Sequence, residues 1–267
     1  MQQLYFKGQT FKGLRHVISS QDGGLMAFDL LKLSGGEEFE GVSGEYEIAL
    51  VILGGKASVT VDGEVFSGLG ERKDVFSGRA TTVYIPRDST YRVESGDDGV
   101  EAALCMVKAV RKYETFVVKP EEVVVHHRGG QIWKRDVYDI ITDNGGGRVD
   151  RIVLGETYSE PGNWSSFPSH KHDRFVPGEE TELAEIYHFR IQPEEAFAVQ
   201  VIYTEDRKID EAFLIRDQDS VNIPEGYHPV VAPPSVRVYY LWFLGGEKGR
   251  ELRAYDDPSF KALKDLE

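Results

Sequence analysis

The chain has 267 residues, 40% of them hydrophobic and 28% charged, with a formal net charge of −14. That composition excludes a disordered chain, and the length suits one large β domain or two domains of ordinary size. So acidic a surface repels phosphate backbones and argues against a nucleic-acid partner, yet a few local cations could still admit a small anion.

The first residues, MQQLYFKGQTFKGLR, lack the apolar core of a signal peptide, and no apolar run is long enough to span a bilayer. A cytoplasmic protein that does not engage membranes is the expectation. Glu47 to Leu53 and Ala57 to Val61 are β-branched runs parted by Gly54-Gly55, and Asp62-Gly63 marks the next turn. Thr81 to Ile85 reads as another strand. Cys105, the single cysteine, lies in the apolar run Ala102 to Val107, which predicts a buried thiol and no intrachain disulfide. Between His126 and Asp150, the segments HHRGG and DNGGG break the strand pattern. Phe197 to Tyr203 and Val236 to Phe243 are strands again, with turns at Glu225-Gly226 and Gly245-Gly246. A short helix is expected near Pro258 to Leu266. The architecture is therefore all-β.

A weak repeat divides it. Val83-Tyr84-Ile85-Pro86 recurs as Val221-Asn222-Ile223-Pro224, displaced by 138 residues, and Glu47-Ile48 falls on Glu185-Ile186 at the same displacement. Two halves are expected, 1–140 and 141–267.

Three histidines carry the chemistry. His170 and His172 are two apart, so an extended chain points both to one face. His228 follows the turn Pro224-Glu225-Gly226-Tyr227. Glu185 opens a strand on which Tyr187 and Phe189 share its face. Imidazoles with one carboxylate make a borderline-soft donor set for zinc or manganese, with iron, nickel or cobalt also possible. Taken singly, each of these histidines is an ordinary surface residue; the order H-x-H, E, P-x-G-x-H makes His170, His172, Glu185 and His228 the predicted ligands. At the repeat displacement the histidines fall on Lys32, Ser34 and Thr90, so the first half should lack the site, and only Glu47 matches. His126-His127 should face opposite ways, and His188 should face away from Glu185.

The order resembles the two-part cupin signature, except that twelve residues (Asp173 to Ala184) separate the second histidine from the glutamate where only a few are usual, which implies an inserted loop. Together with Pro161-Gly162-Asn163-Trp164-Ser165-Ser166, Phe197-Ala198-Val199-Gln200, Tyr203-Thr204, Gly226-Tyr227-His228-Pro229-Val230 and Asp256-Asp257-Pro258, it is similar to the 5-deoxy-glucuronate isomerase family of inositol catabolism. The 4-deoxy-5-hexosulose-uronate ketol-isomerases of pectin breakdown are its sister family. The resemblance implies a bicupin (two tandem jelly-roll β-barrels), a divalent metal in the C-terminal barrel, and aldose–ketose isomerisation of an acidic sugar. Ala196 and Trp242 depart from the family pattern. Tyr187, Gln200 and Tyr240 are candidates for proton transfer. Arg174, Arg190 and Arg207 are candidates for holding the substrate carboxylate, with Arg174 favoured. An iron cupin dioxygenase and a non-catalytic sugar-binding cupin are the competing readings. A homo-oligomer is expected, because cupin edge strands need covering.

Overall fold

The longest apolar run of the first half, Tyr46–Val61, forms one continuous strand. Two strands parted by Gly54-Gly55 are predicted from the sequence, but the glycines instead sit at register irregularities against the strand Thr90–Lys108. Gly55 has a φ of +87°, and a Cβ there would lie 2.3 Å from the carbonyl oxygen of Gly99. The strand therefore bends at this point without ending. The true reversal comes at Asp62-Gly63, where both residues have positive φ and Val61 stands opposite Glu64. The computed structural model describes residues 2–266.

Contacts divide the chain into two interleaved units. One comprises Thr10–Val124 and Asp139–Leu154; the other comprises the residues up to Gln9, Val125–Tyr138 and everything from Gly155 onward. A single cut at 140/141 does not reproduce this division, for two reasons. The segment 125–154 is shared between the units, and the N-terminus belongs with the C-terminal half. Tyr5–Phe6 pairs antiparallel with Ser220–Ile223, and the Tyr5 ring stacks on Phe213 at 5.7 Å. The Tyr5 hydroxyl donates to Asp219 at 2.6 Å, which fixes the added strand.

In the unit built on Thr10–Val124, the sheet runs Gly13–Ile18, Met26–Leu33, Thr90–Lys108, Tyr46–Val61, Thr82–Ile85, Phe116–Val118. Alternate residues Ile48, Leu50 and Ile52 enter its apolar core with Val59, Val83, Ile85, Val93 and Leu104. Cys105 is free and buried, as its apolar run predicts.

The other unit carries a sheet in which Ala184–Gln192 lies between Ser220–Ile223 and Arg237–Gly245. A second sheet runs Trp164–Ser165, Val230–Val231, Ala198–Tyr203, Asp210–Ile215. Two short pairs complete it: His170–Lys171 with Tyr255–Asp256, and Asp173–Val176 with Glu180–Glu182. The architecture is all-β, and among the described residues no sheet closes on itself into a barrel. The expected C-terminal helix is shorter and tighter: a 3₁₀ helix spans Lys261–Leu266 after a turn at Asp257. The Asp257 carboxylate caps that turn by accepting the N–H of Ser259 at 2.8 Å. Among the described residues, no helix is long and apolar enough to cross a membrane.

Candidate metal centre

Each predicted ligand is brought to its place by a different piece of backbone. His170 pairs with Asp256 on the short C-terminal strand. Beside it, the Tyr203 hydroxyl donates to Asp257 Oδ2 at 2.6 Å and lies 2.9 Å from Ser169 Oγ, anchoring the approach to His170. His172 exchanges two hydrogen bonds with Leu183: its carbonyl accepts the Leu183 N–H, and its Nδ1–H donates to the Leu183 carbonyl, both at 2.8 Å. Glu185 lies near the start of the strand Ala184–Gln192. His228 leaves a turn in which Gly226 has a φ of +96° and a Cβ would lie 2.7 Å from the Tyr203 carbonyl oxygen. Glycine is needed there both for the conformation and for the close approach.

His172, Glu185 and His228 converge in a buried group whose possible ligand atoms lie within 4.8 Å of one another; it is the one such cluster of three among the described residues. Glu185 Oε2 is 3.2 Å from Nε2 of His172 and 3.2 Å from Nε2 of His228. The His170 ring stands 4.9 Å from the His228 ring, centroid to centroid, at the half-buried margin of the group.

The tautomers decide what this arrangement can hold. Nδ1 of His170, His172 and His228 each faces a backbone carbonyl, of Pro168 at 3.1 Å, Leu183 at 2.8 Å and Gly226 at 2.8 Å. A carbonyl only accepts, so each Nδ1 carries a proton, and in the neutral imidazole each Nε2 keeps a lone pair. Two lone pairs therefore face the Glu185 carboxylate, and His228 Nε2 is buried without a hydrogen-bond partner. Acceptors facing acceptors in a buried space need a proton or a cation between them. An imidazole held by Nδ1–H to a carbonyl is also the usual bearing of a metal-ligating histidine. The donor set fits a divalent metal.

Protonation agrees for most of the group. Burial pushes His170 down to about 3, and the neighbouring imidazoles push the same way. Burial works against ionised Glu185, but the close approach of His172 and His228 outweighs it and holds the carboxyl at about 2. His172 is raised: burial opposes its charge, but the Glu185 carboxylate prevails.

The remaining predicted residues separate by face. Tyr187 shares the face of Glu185, with its ring 6.0 Å from that of His228 and 4.6 Å from that of Tyr240. Ser166 Oγ bridges them, 3.0 Å from the Tyr187 hydroxyl and 3.2 Å from that of Tyr240. Ser166, with a φ of +47°, enters the sequence reading only as the last residue of the PGNWSS motif, with no role of its own. Gln200 is fully buried beside His228, and its amide donates to the His228 carbonyl at 2.8 Å. Arg190 falls on the opposite face of its strand from Glu185 and pairs with Asp217 at 3.7 Å, which removes it from the metal group. Arg207 is exposed at the rim, paired with Asp210 at 3.0 Å. Arg174, also exposed, is paired with Glu205. His188 faces away as expected, with Nδ1 3.0 Å from Ser220 Oγ. His127 is exposed and pairs with Asp136 at 2.6 Å. Trp242 stands opposite Tyr187 and donates from Nε1 to Thr157 at 3.0 Å. Ala196 occupies a turn to the Pro193 carbonyl with no positive φ, so the backbone there does not require glycine.

Glu47 is not the counterpart of Glu185. In one unit Glu185 pairs with Ile223; in the other, Ile48 pairs with Ile85. Ile85 and Ile223 correspond in the repeat, so Ile48 takes the place of Glu185, one residue out of step with the repeat displacement. A slip of one residue turns a side chain to the other face. Glu47 accordingly lies off the core face and accepts the N–H groups of Asp150, Arg151 and Ile152 at 2.8, 2.6 and 2.8 Å. The Tyr84 hydroxyl adds a fourth donor at 2.8 Å.

Comparison with known proteins shows the family and the fold. An iolb-like protein from Salmonella typhimurium LT2 superposes with a TM-score of 0.92 at 32% identity, covering 98% of this chain and 99% of the other. Oxalate decarboxylase of Bacillus subtilis shares the fold alone, with a TM-score of 0.62 at 13% identity over 96% of this chain and 80% of its own. The 5-deoxy-glucuronate isomerase of Halalkalibacterium halodurans is 34% identical over 95% of this chain and 93% of its own length. That of Geobacillus kaustophilus is 36% identical over 87% and 83% respectively. The profile of the KduI/IolB family matches residues 5–263, and the chain belongs to that family.

Proposed function

We propose that the protein is a metal-dependent aldose–ketose isomerase of a deoxy-uronate, with 5-deoxy-glucuronate as its substrate. The observation that carries this is the approach of two histidine Nε2 lone pairs to one Glu185 oxygen, in a chain whose relatives are named 5-deoxy-glucuronate isomerase. His170, His172, Glu185 and His228 would hold the ion, with zinc or manganese suited to the donor set. A bound divalent ion would supply Lewis-acid polarisation of adjacent carbonyl and hydroxyl oxygens.

The chain's own hydroxyls handle protons around it. Burial, reinforced by the Glu185 charge, pushes the Tyr187 hydroxyl far above its ordinary value, and burial raises Tyr240 as well. Both keep their protons at neutral pH, so they donate to substrate oxygens or relay a proton through Ser166 and do not abstract one. Gln200 Oε1 is buried without a partner, while the amide nitrogen is committed to backbone carbonyls. That leaves an acceptor for a substrate hydroxyl. For the uronate carboxylate, Arg174 is the nearest predicted cation in sequence, and it would have to exchange Glu205 for the substrate.

The test is to incubate the protein with 5-deoxy-glucuronate and follow the aldehyde proton by NMR. Loss of that signal without oxygen uptake is the expected result. Oxygen consumption coupled to turnover would overturn the isomerase reading. A persistent aldehyde signal with metal bound would overturn the substrate, and 4-deoxy-5-hexosulose-uronate would be tried next.

A further inference from the structure

Lys171 lies between the two histidines of the H-x-H pair and is 1% exposed. A buried ammonium costs free energy unless it is paired and hydrogen-bonded. Its Nζ donates to Asp173 Oδ1 at 2.6 Å and to both Glu180 oxygens, at 2.8 and 3.0 Å. Glu180 also accepts the N–H groups of Asp173 and Arg174 at 2.9 and 3.1 Å. Both carboxylates belong to the twelve residues between His172 and Glu185, which contain the hairpin of Asp173–Val176 with Glu180–Glu182.

The cluster reaches the other ligands through the backbone. Asp173 Oδ2 accepts the Gly226 N–H at 2.8 Å, and the Gly226 carbonyl accepts Nδ1–H of His228 at 2.8 Å. At its far end the insertion supplies Leu183, whose carbonyl fixes the tautomer of His172.

We propose that Lys171, Asp173 and Glu180 are positioning residues for the metal centre, and that the inserted hairpin is its frame. This rests on the metal reading of the site. Lys171 points away from the ligands, so its influence passes through the hairpin ends. Without the ammonium, Asp173 and Glu180 repel, the hairpin end shifts, and the carbonyls that orient His172 and His228 move with it.

The experiment compares wild-type protein, Lys171→Met and Glu180→Gln. Each metal-free protein is titrated with Zn²⁺ alone by calorimetry, at a temperature where circular dichroism shows it folded. Wild-type should bind one ion per chain. Lys171→Met should weaken Zn²⁺ binding about 10- to 100-fold, as loss of outer support to metal ligands commonly does. Glu180→Gln, which keeps the acceptor oxygen but loses the charge, should weaken it less. The double variant should recover part of the loss, because it removes one charge of each sign. A purely structural role would lower the melting temperature and leave the affinity of the folded protein unchanged. Wild-type affinity in folded Lys171→Met or Glu180→Gln would overturn the proposal, and Glu180→Gln alone decides if Lys171→Met does not fold. A wild-type protein that binds no Zn²⁺ would overturn the metal reading itself, and this proposal with it.

Discussion

Glu185 Oε2 and His228 Nε2 stand 3.2 Å apart, both buried, with no hydrogen bond between them. Because Nδ1 of His228 is committed to the Gly226 carbonyl, the approach places a lone pair against a carboxylate. A cation bound between them relieves that repulsion, so metal binding should stabilise the fold. At a Zn²⁺ concentration of 100 times Kd, the wild-type should gain about 2.7 kcal/mol. His228→Ala should remain folded, since the Tyr203–Tyr227 bridge holds its segment, and should gain nothing. Thermal melts with and without Zn²⁺ read both values; an equal gain in the variant would contradict the ligand assignment.

Trp242 depends on Gly155. A Cβ at Gly155 would lie 2.2 Å from the indole and 2.6 Å from the Tyr138 carbonyl oxygen. Gly155→Ala should therefore destabilise the protein by roughly 2 kcal/mol through overpacking. Chemical denaturation measures this, and an unchanged midpoint would mean that the ring moves aside freely.

Glu47 satisfies three backbone N–H groups and the Tyr84 hydroxyl. Glu47→Ala would leave buried donors unpaired and should cost about 3 kcal/mol or more. Metal content, measured on the purified protein, should not change. A loss of metal would contradict the one-residue offset between the two strands.

Burial raises the pKa of Asp29, against the opposing effects of His16 and of a hydrogen bond from the Val17 backbone. A raised carboxyl pKa means that the folded protein favours the protonated form. The resulting stability is complete below the unfolded pKa and is lost as pH rises through the folded value. Asp29→Asn is neutral at every pH, so it should melt higher than wild-type at neutral pH and converge with it in acid. Melting temperatures across that range check the sign; a variant that is less stable at neutral pH would reverse it.

Much of the site was legible because ligand chemistry is local. The spacing of His170 and His172, the turn before His228 and the face shared by Glu185 and Tyr187 follow from chain geometry. What escaped depends on long-range pairing. Nothing local says that Tyr5 pairs with Val221, so a division of the sequence into halves does not reveal the strand that the N-terminus joins. Gly54-Gly55 reads as a turn because a bulge and a reversal use the same residue types. Counting residues matches Glu47 to Glu185, whereas the register of Ile48 against Ile85 decides which face a side chain takes. Arg190 could have been set aside from sequence by the alternation that excluded His188. Ser166 reaches Tyr187 and Tyr240 only through tertiary contact.

The central claim is that isomerisation depends on a metal held by His170, His172, Glu185 and His228. The direct measurement strips the wild-type protein with a chelator, confirms by circular dichroism that it is folded, and follows 5-deoxy-glucuronate by NMR before and after adding back Zn²⁺ or Mn²⁺. The account predicts an intact aldehyde signal in the stripped protein and its conversion once metal returns. Undiminished turnover by folded, metal-free protein would contradict it.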